Sequence, residues 1–304
     1  MELWIAITFA AAFMQNIRSV LQKHLKGVLG TTGATFVRFG YGAPFALFYL
    51  GLLVFALDRP LPVPDRHFFL WALIGGLAQI AATFLLVHLF SFRNFAVGTA
   101  YSRTEPAQAA VFGLIFLGEA ASRGTLLAIA ISVVGVMVIS VARTPLSVRS
   151  LATSVFTPTA GIGLLSGTFF GLSAVSYRAA SLALSPSLPQ PDFIMQAGFT
   201  LGFVILLQTT VMLVWILMRE PQELRRIAVA WRPGLLVGFA GASASFGWFM
   251  AMTLQQAAIV KVVAQVEMVF TFASAVFVFR ERINSLEVVG CLLIVLGVVM
   301  LVVV

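Results

Sequence analysis

The sequence predicts an all-α polytopic membrane protein, with ten transmembrane helices arranged as two inverted five-helix repeats. Three observations carry that prediction. Hydrophobic residues make up 60% of the 304-residue chain and charged residues only 10%, against roughly half and a quarter in soluble proteins. Several apolar runs reach the ~20 residues that cross ~30 Å of hydrocarbon at ~1.5 Å per residue. A shift of 162 residues lays one stretch of the chain over another, so that Glu105 and Glu119 fall on Glu267 and Glu281 with apolar sequence between them.

The first run, Leu3–Leu21, follows a start that lacks the basic n-region and small-residue cleavage site of a signal peptide, so it is expected to stay in the mature chain. Phe36–Leu57 is the second span and Phe68–Phe90 the third, in which Gly75-Gly76 lets a neighbour approach closely. The tight junction 91–94 leads into the fourth span, Phe95–Leu117, and Thr125–Val141 is the fifth. A Ser-, Thr- and Pro-rich link then closes the first half. Residues 1–143 form one repeat, 144–160 the linker and 161–304 the second repeat. Gly161–Leu184, Phe193–Met218 and Pro233–Leu254 are the sixth to eighth spans, the last with a small-residue cluster from Gly238 to Ser245. Gln255-Gln256 is the other tight turn, into Ala257–Phe279, and Leu286–Val304 ends the chain. Five spans is an odd number, so the second half enters the membrane from the opposite side, with a pseudo-two-fold axis in the membrane plane.

Composition also excludes functions. The net charge of +8 is spread over short connections, which orients spans and meets lipid head groups instead of forming a nucleic-acid face. The single cysteine, Cys291, offers no disulfide or metal site and reads as packing filler. No phosphate loop or serine nucleophile motif is present. His24, His67 and His88 are scattered, and Asp58, Asp65 and Asp192 fall in connections, which disfavours a membrane enzyme or lipid-handling protein. A doubled asymmetric chain likewise disfavours a channel built from rings of like residues.

Pro106 stands thirteen residues before Glu119, Gly135 lies in the following span, and the same block is repeated near the C-terminus. Arg38 lies in the second span and Tyr177-Arg178 in the sixth. On these motifs the chain resembles the EamA-type members of the drug/metabolite transporter superfamily. The second half departs at Met268, so the proline that would kink the fourth helix has no counterpart in the ninth. What the resemblance implies is a ten-helix secondary transporter with a central cavity between its halves, whose relatives commonly export amino acids and other small metabolites.

Ionisable side chains inside a span cost ~2.5–3.5 kcal/mol each and usually face protein or water. Arg18 and Arg178 lie near span ends and are read as snorkelling to the head groups. Arg38, Arg103 and Lys261 either pair in the interior or bind substrate. Helical spacing puts Tyr101, Glu105 and Gln108 on one face and Thr99 with Arg103 on another, matched in the second copy by Lys261 and Gln265. This second face is expected to line the cavity and offer a cation and amide or hydroxyl donors to a carboxylate. Gln196 and Trp248 join the candidate substrate-binding residues, and Asn16, Gln22, Gln79, His88 and Gln208 could line a pathway. Glu105 and Glu267 are expected either to couple protons or to form structural ion pairs with basic residues on neighbouring helices. Glu119 and Glu281 are read as helix-terminating and loop-contacting residues.

The expected function is secondary active or facilitative transport, in the direction of export, of amino acids or similar small carboxylate-bearing metabolites by alternating access. Drugs, nucleosides and sugar phosphates are alternative cargo. Three intramembrane bases (Arg38, Arg103, Lys261) against two acids (Glu105, Glu267) fit a zwitterion best. No cofactor or metal, no nucleic acid and no catalysis are expected; the partners are a small-molecule substrate and the lipid bilayer, with protons as a candidate coupling ion. The chain is read as a monomer or weak dimer in a cell membrane, the bacterial inner membrane being the expected one. Basic residues favour cytoplasmic odd-numbered connections, eleven against three, which puts both termini outside; the family resemblance implies cytoplasmic termini.

Overall fold

A computed structural model describes residues 2–89, 91–92, 100–141, 157–270 and 284–303. They form helices α1 (Leu3–Leu25), α2 (Thr31–Gly40), α3 (Ala43–Gly51, closed by a π-helical turn at Leu52–Ala56), α4 (Arg66–Leu89), α5 (Glu105–Leu117), α6 (Arg123–Val141), α7 (Pro158–Ala183), α8 (Phe193–Arg219), α9 (Pro221–Val229), α10 (Trp231–Leu254), α11 (Ala257–Ala264) and α12 (Ser285–Val303). No strand occurs among the described residues. Among the described residues, six segments are long and apolar enough to cross a membrane: Leu3–Gln22, Thr31–Ala56, Arg66–Leu89, Pro158–Ser187, Phe193–Arg219 and Trp231–Leu254. Arg123–Ile139 and Ser285–Leu301 are shorter apolar helices. Parts of the expected fourth and ninth spans and most of the linker lie outside the described residues.

Several boundaries differ from the sequence reading for local reasons. The first helix runs to Leu25, a turn beyond the expected Leu21, because Gln22 is buried and its amide donates to Ala34 O at 2.6 Å. The second span begins at Thr31, where Glu223 of α9 accepts from the Gly30 N–H at the start of α2. This is a helix cap supplied from the other half of the chain. Thr32 adds a bond to Glu220 at 2.9 Å. At the other end of the bundle, Asp192 caps α8 by accepting from Ile194 N and Met195 N at 3.1 Å, and it also receives Arg59 Nη1 at 2.5 Å. The short helix α9 carries exposed Arg226 beside Arg225. Arg219 lies 5.9 Å from the Trp215 ring and Arg232 lies 5.3 Å from the Trp231 ring. Arginine and tryptophan together on a short amphipathic helix and its flanks form the belt expected at a head-group boundary.

Three interfaces dominate the packing: α4 on α7, α6 on α12, and α1 on α10. Small residues let the backbones touch at the second. A Cβ on Gly135 would stand 2.8 Å from Gly290 O and 3.0 Å from Ile294 N, while one on Gly297 would stand 2.9 Å from Ala128 O and 3.3 Å from Ser132 N. Adding 162 to one partner and subtracting it from the other turns the first pair of contacts into the second. The α6–α12 seam therefore has local two-fold character. Close backbone approach of this kind is how helices associate where lipid offers no hydrophobic drive.

Gly290→Val tests that seam, since the added Cβ would meet Ile139 Cγ1 at 2.5 Å and Gly135 O at 2.6 Å. Overpacking at such a site costs about 1–3 kcal/mol. The melting temperature in detergent is expected to fall clearly below that of Gly161→Ala, whose Cβ would meet nothing within 4 Å.

Candidate functional site

The seam between the repeats is built from two interrupted helices. Residues 100–102 are helical, the chain turns at Arg103-Thr104, and α5 starts at Glu105 with Pro106 in its first turn. The turn is closed by short-range bonds, Arg103 N to Ala100 O at 3.1 Å and Thr104 N to Tyr101 O at 3.2 Å. The second repeat does the same without a proline. Helix α11 stops at Ala264, Gln265 N bonds Val262 O at 3.0 Å and Met268 N bonds Gln265 O at 2.9 Å, and helix resumes over 266–270. The break therefore occurs in both halves, and the second copy makes it without a proline.

The break changes the expected faces. An unbroken helix would hold Arg103 and Glu105 apart on different faces; the turn between them brings both to the same cavity. It also separates Tyr101 from Glu105: Tyr101 packs instead with Ala100 and Ala160 in a small apolar cluster. Each glutamate meets a base from the opposite repeat. Lys261 Nζ lies 2.7 Å from Glu105 Oε1, and Arg103 Nη1 lies 3.3 Å from Glu267 Oε2. Between them, Gln265 Nε2 donates to Arg103 O at 3.2 Å. Gln265 and Arg103 are themselves repeat mates, 162 residues apart, so equivalent positions of the two copies meet here. Gln15 extends the network by donating to Glu267 Oε2 at 3.1 Å and accepting from Trp248 Nε1 at 3.0 Å. Lys261 Nζ stands 5.4 Å from the Trp248 ring, within cation–π range.

All of these groups but Gln265 line a polar cavity of about 50 Å³, together with Arg18, Arg38, Gln79, Tyr177 and Ser245. A water needs ~10–15 Å³, so the cavity has room for a few waters. A second hollow, of about 490 Å³ between α5 and α6, is lined by Ala, Val, Leu and Ile with Thr104 and carries no charge.

Of the residues singled out from sequence, the cavity gathers Arg38, Arg103, Glu105, Lys261, Trp248 and Glu267, with Gln79. Thr99 and Glu281 lie outside the described residues. Gln265 is buried beside the cavity through its bond to Arg103 O. Gln196 is not at the wall: its amide ties α8 to Ser181 O of α7 at 2.8 Å. Gln208 braces Gly76 O and Gln79, and His88 sits between the Phe84 and Phe92 rings.

Two expectations are corrected. Neither Arg18 nor Arg178 snorkels. Arg18 is only 5% exposed and lines the cavity, because α1 continues past it for two further turns. Arg178 Nε donates to Glu119 Oε1 at 2.6 Å, and its Nη1 donates to Met252 O at 2.6 Å and Gln255 O at 2.8 Å, closing the C-terminus of α10. Glu119 thus does more than end a helix. Gln15, Ser19, Ser102, Ser173 and Ser245 were missed; Gln15 and Ser19 share a helix face with Arg18 at i, i+4 and i+3, the signal that could have found two of them.

Removing one member of a buried pair costs about 3–5 kcal/mol. Glu105→Lys and Lys261→Glu are each expected to collapse the yield of monodisperse protein on size exclusion, and the double variant to recover most of it. A double variant no better than the singles would show that the pair does not stabilise the fold.

Comparison with known proteins agrees with this architecture. No curated protein was found similar in sequence to the chain. A solved structure described only as "Crystal structure of protein" superimposes with a TM-score of 0.69 at 17% identity, over 98% of this chain and 95% of that one. The model of the EamA-like transporter family matches residues 2–141 and again 157–303. Matched twice and nearly end to end, the chain belongs to the EamA-like transporter family, membrane transporters of the drug/metabolite transporter superfamily.

Proposed function

We propose that this chain is a secondary transporter that exports amino acids or similar small carboxylate-bearing metabolites by alternating access through the polar cavity. The carrying observation is the pair of crossed ion pairs at the seam, Lys261 with Glu105 and Arg103 with Glu267. Charges placed there hold the halves together when the cavity is contracted, and a substrate with its own charges can compete for them. The contracted volume of about 50 Å³ fits a state in which the halves have closed on one another.

One end of the bundle is also latched. Arg178 of α7 joins Glu119 to the C-terminus of α10, and Ser181 Oγ and Thr253 Oγ1 lie 2.5 Å apart beside it. Arg18, the repeat counterpart of Arg178, makes no such latch among the described residues and bonds only Ser19 Oγ at 3.3 Å. In the reading proposed here the latched end is shut and the other end is the one that opens. Rocking the halves exchanges the two environments.

The test is counterflow in proteoliposomes across labelled amino acids and organic acids, with and without a pH gradient. Saturable exchange of a carboxylate-bearing solute is expected, and its absence across the panel would sink this reading. Arg178→Ala is expected to slow exchange by about tenfold or more, since the closed state loses its latch. Unchanged exchange by the correctly folded variant would remove the latch from the mechanism.

A further inference from the structure

The four cations around the cavity are not equivalent. Arg103 and Lys261 each have a carboxylate within ion-pair distance. Arg18 and Arg38 have none among the described residues. Both are 5% exposed. Arg38 Nη1 donates to Thr83 Oγ1 at 2.9 Å and its guanidinium sits 5.3 Å from the Phe39 ring. Among the described residues Arg18 bonds only Ser19 Oγ, and its buried Nε meets no hydrogen-bond partner. The two side chains converge: a Cβ on Gly241 would lie 3.4 Å from Arg18 Cδ and 3.5 Å from Arg38 Cγ. Like charges brought together in a buried wall repel, and unpaired buried ions are costly. Four bases against two acids leave the described wall with a surplus of two positive charges.

We propose that Arg18 and Arg38 form an oxyanion subsite and that the substrate carries two negative charges, as a dicarboxylate or a phosphate monoester does. This rests on the transporter reading above and replaces its amino-acid cargo with a doubly charged one. A dianion cancels the surplus when the cavity closes, a monocarboxylate cancels half of it, and a zwitterion cancels none. Guanidinium suits the role because its planar fork donates to two oxygens at once. Nearby hydroxyls and an amide, Ser19, Ser245 and Gln79, supply further donors at the same wall. The zwitterion favoured on the sequence count of three bases against two acids changes once Arg18 is found in the cavity.

The experiment measures thermal protection of the full chain in detergent by succinate, glycerol 3-phosphate and alanine at matched ionic strength, and counterflow of the same three solutes in proteoliposomes. One or both dianions are expected to raise the melting temperature, and which one does so separates the carboxylate from the phosphate source. Arg18→Gln and Arg38→Gln are each expected to weaken that protection by about tenfold in apparent affinity, with Arg→Lys weakening it less. Alanine protecting as well as the dianions, or no dianion protecting, overturns the subsite. So does an Arg18→Gln variant that slows all solutes equally with dianion protection unchanged, because that outcome assigns Arg18 to gating alone. Protection without counterflow keeps the subsite and sinks the transport reading; alanine counterflow without dianion protection does the reverse.

Discussion

Carboxylates deep in an apolar bundle are tolerable only when each has a cation, and here the cation comes from the other half of the chain. Lys261 answers Glu105 and Arg103 answers Glu267. The rest of the centre follows from this. The helices break at Arg103 and Gln265, so that Arg103 and Glu105, two residues apart, point into one space with Lys261 and Glu267, six residues apart. Breaking a helix inside a membrane frees backbone groups, which are tolerated only where protein or a polar cavity meets them. The bond from Gln265 to Arg103 O is one such repair.

Around that centre, stability rests on shape more than on charge. Gly135, Gly290 and Gly297 bring two backbones into contact, and Gly241 gives two arginine stems room to converge. Ion pairs nearer the ends, Arg59 with Asp192 and Arg178 with Glu119, join segments distant in sequence. Those that are partly exposed contribute little individually; Arg178 is different because it also satisfies carbonyls at the end of α10 that would otherwise lack partners.

Much of this was legible in the sequence, and what was not has a common cause. Hydropathy marks long spans well because a helix must cross a fixed thickness, and the glutamates and glycines of the repeat stand out against a monotonous background. Side-chain direction was harder to read. Spacing rules for Tyr101, Arg103 and Glu105 assume a continuous helix, and the turn at Arg103-Thr104 breaks that assumption. Proline was the visible cue for a break in the fourth helix, yet the ninth breaks beside Met268 without one. Arg18 was assigned to the lipid surface because the apolar run stops soon after it. The helix does not stop there; it continues to Leu25 under cover of its neighbours.

Crossed pairing has a consequence for how the protein is made. Arg103 and Glu105 leave the ribosome about 160 residues before Glu267 and Lys261 exist. At roughly 5–20 residues per second, that is an interval on the order of ten seconds or more. Through it the nascent first half must keep two opposite charges in or near the bilayer with no partner from the second half. The order of synthesis therefore leaves the earlier half dependent on water, lipid head groups or the insertion machinery until the later half arrives to neutralise it.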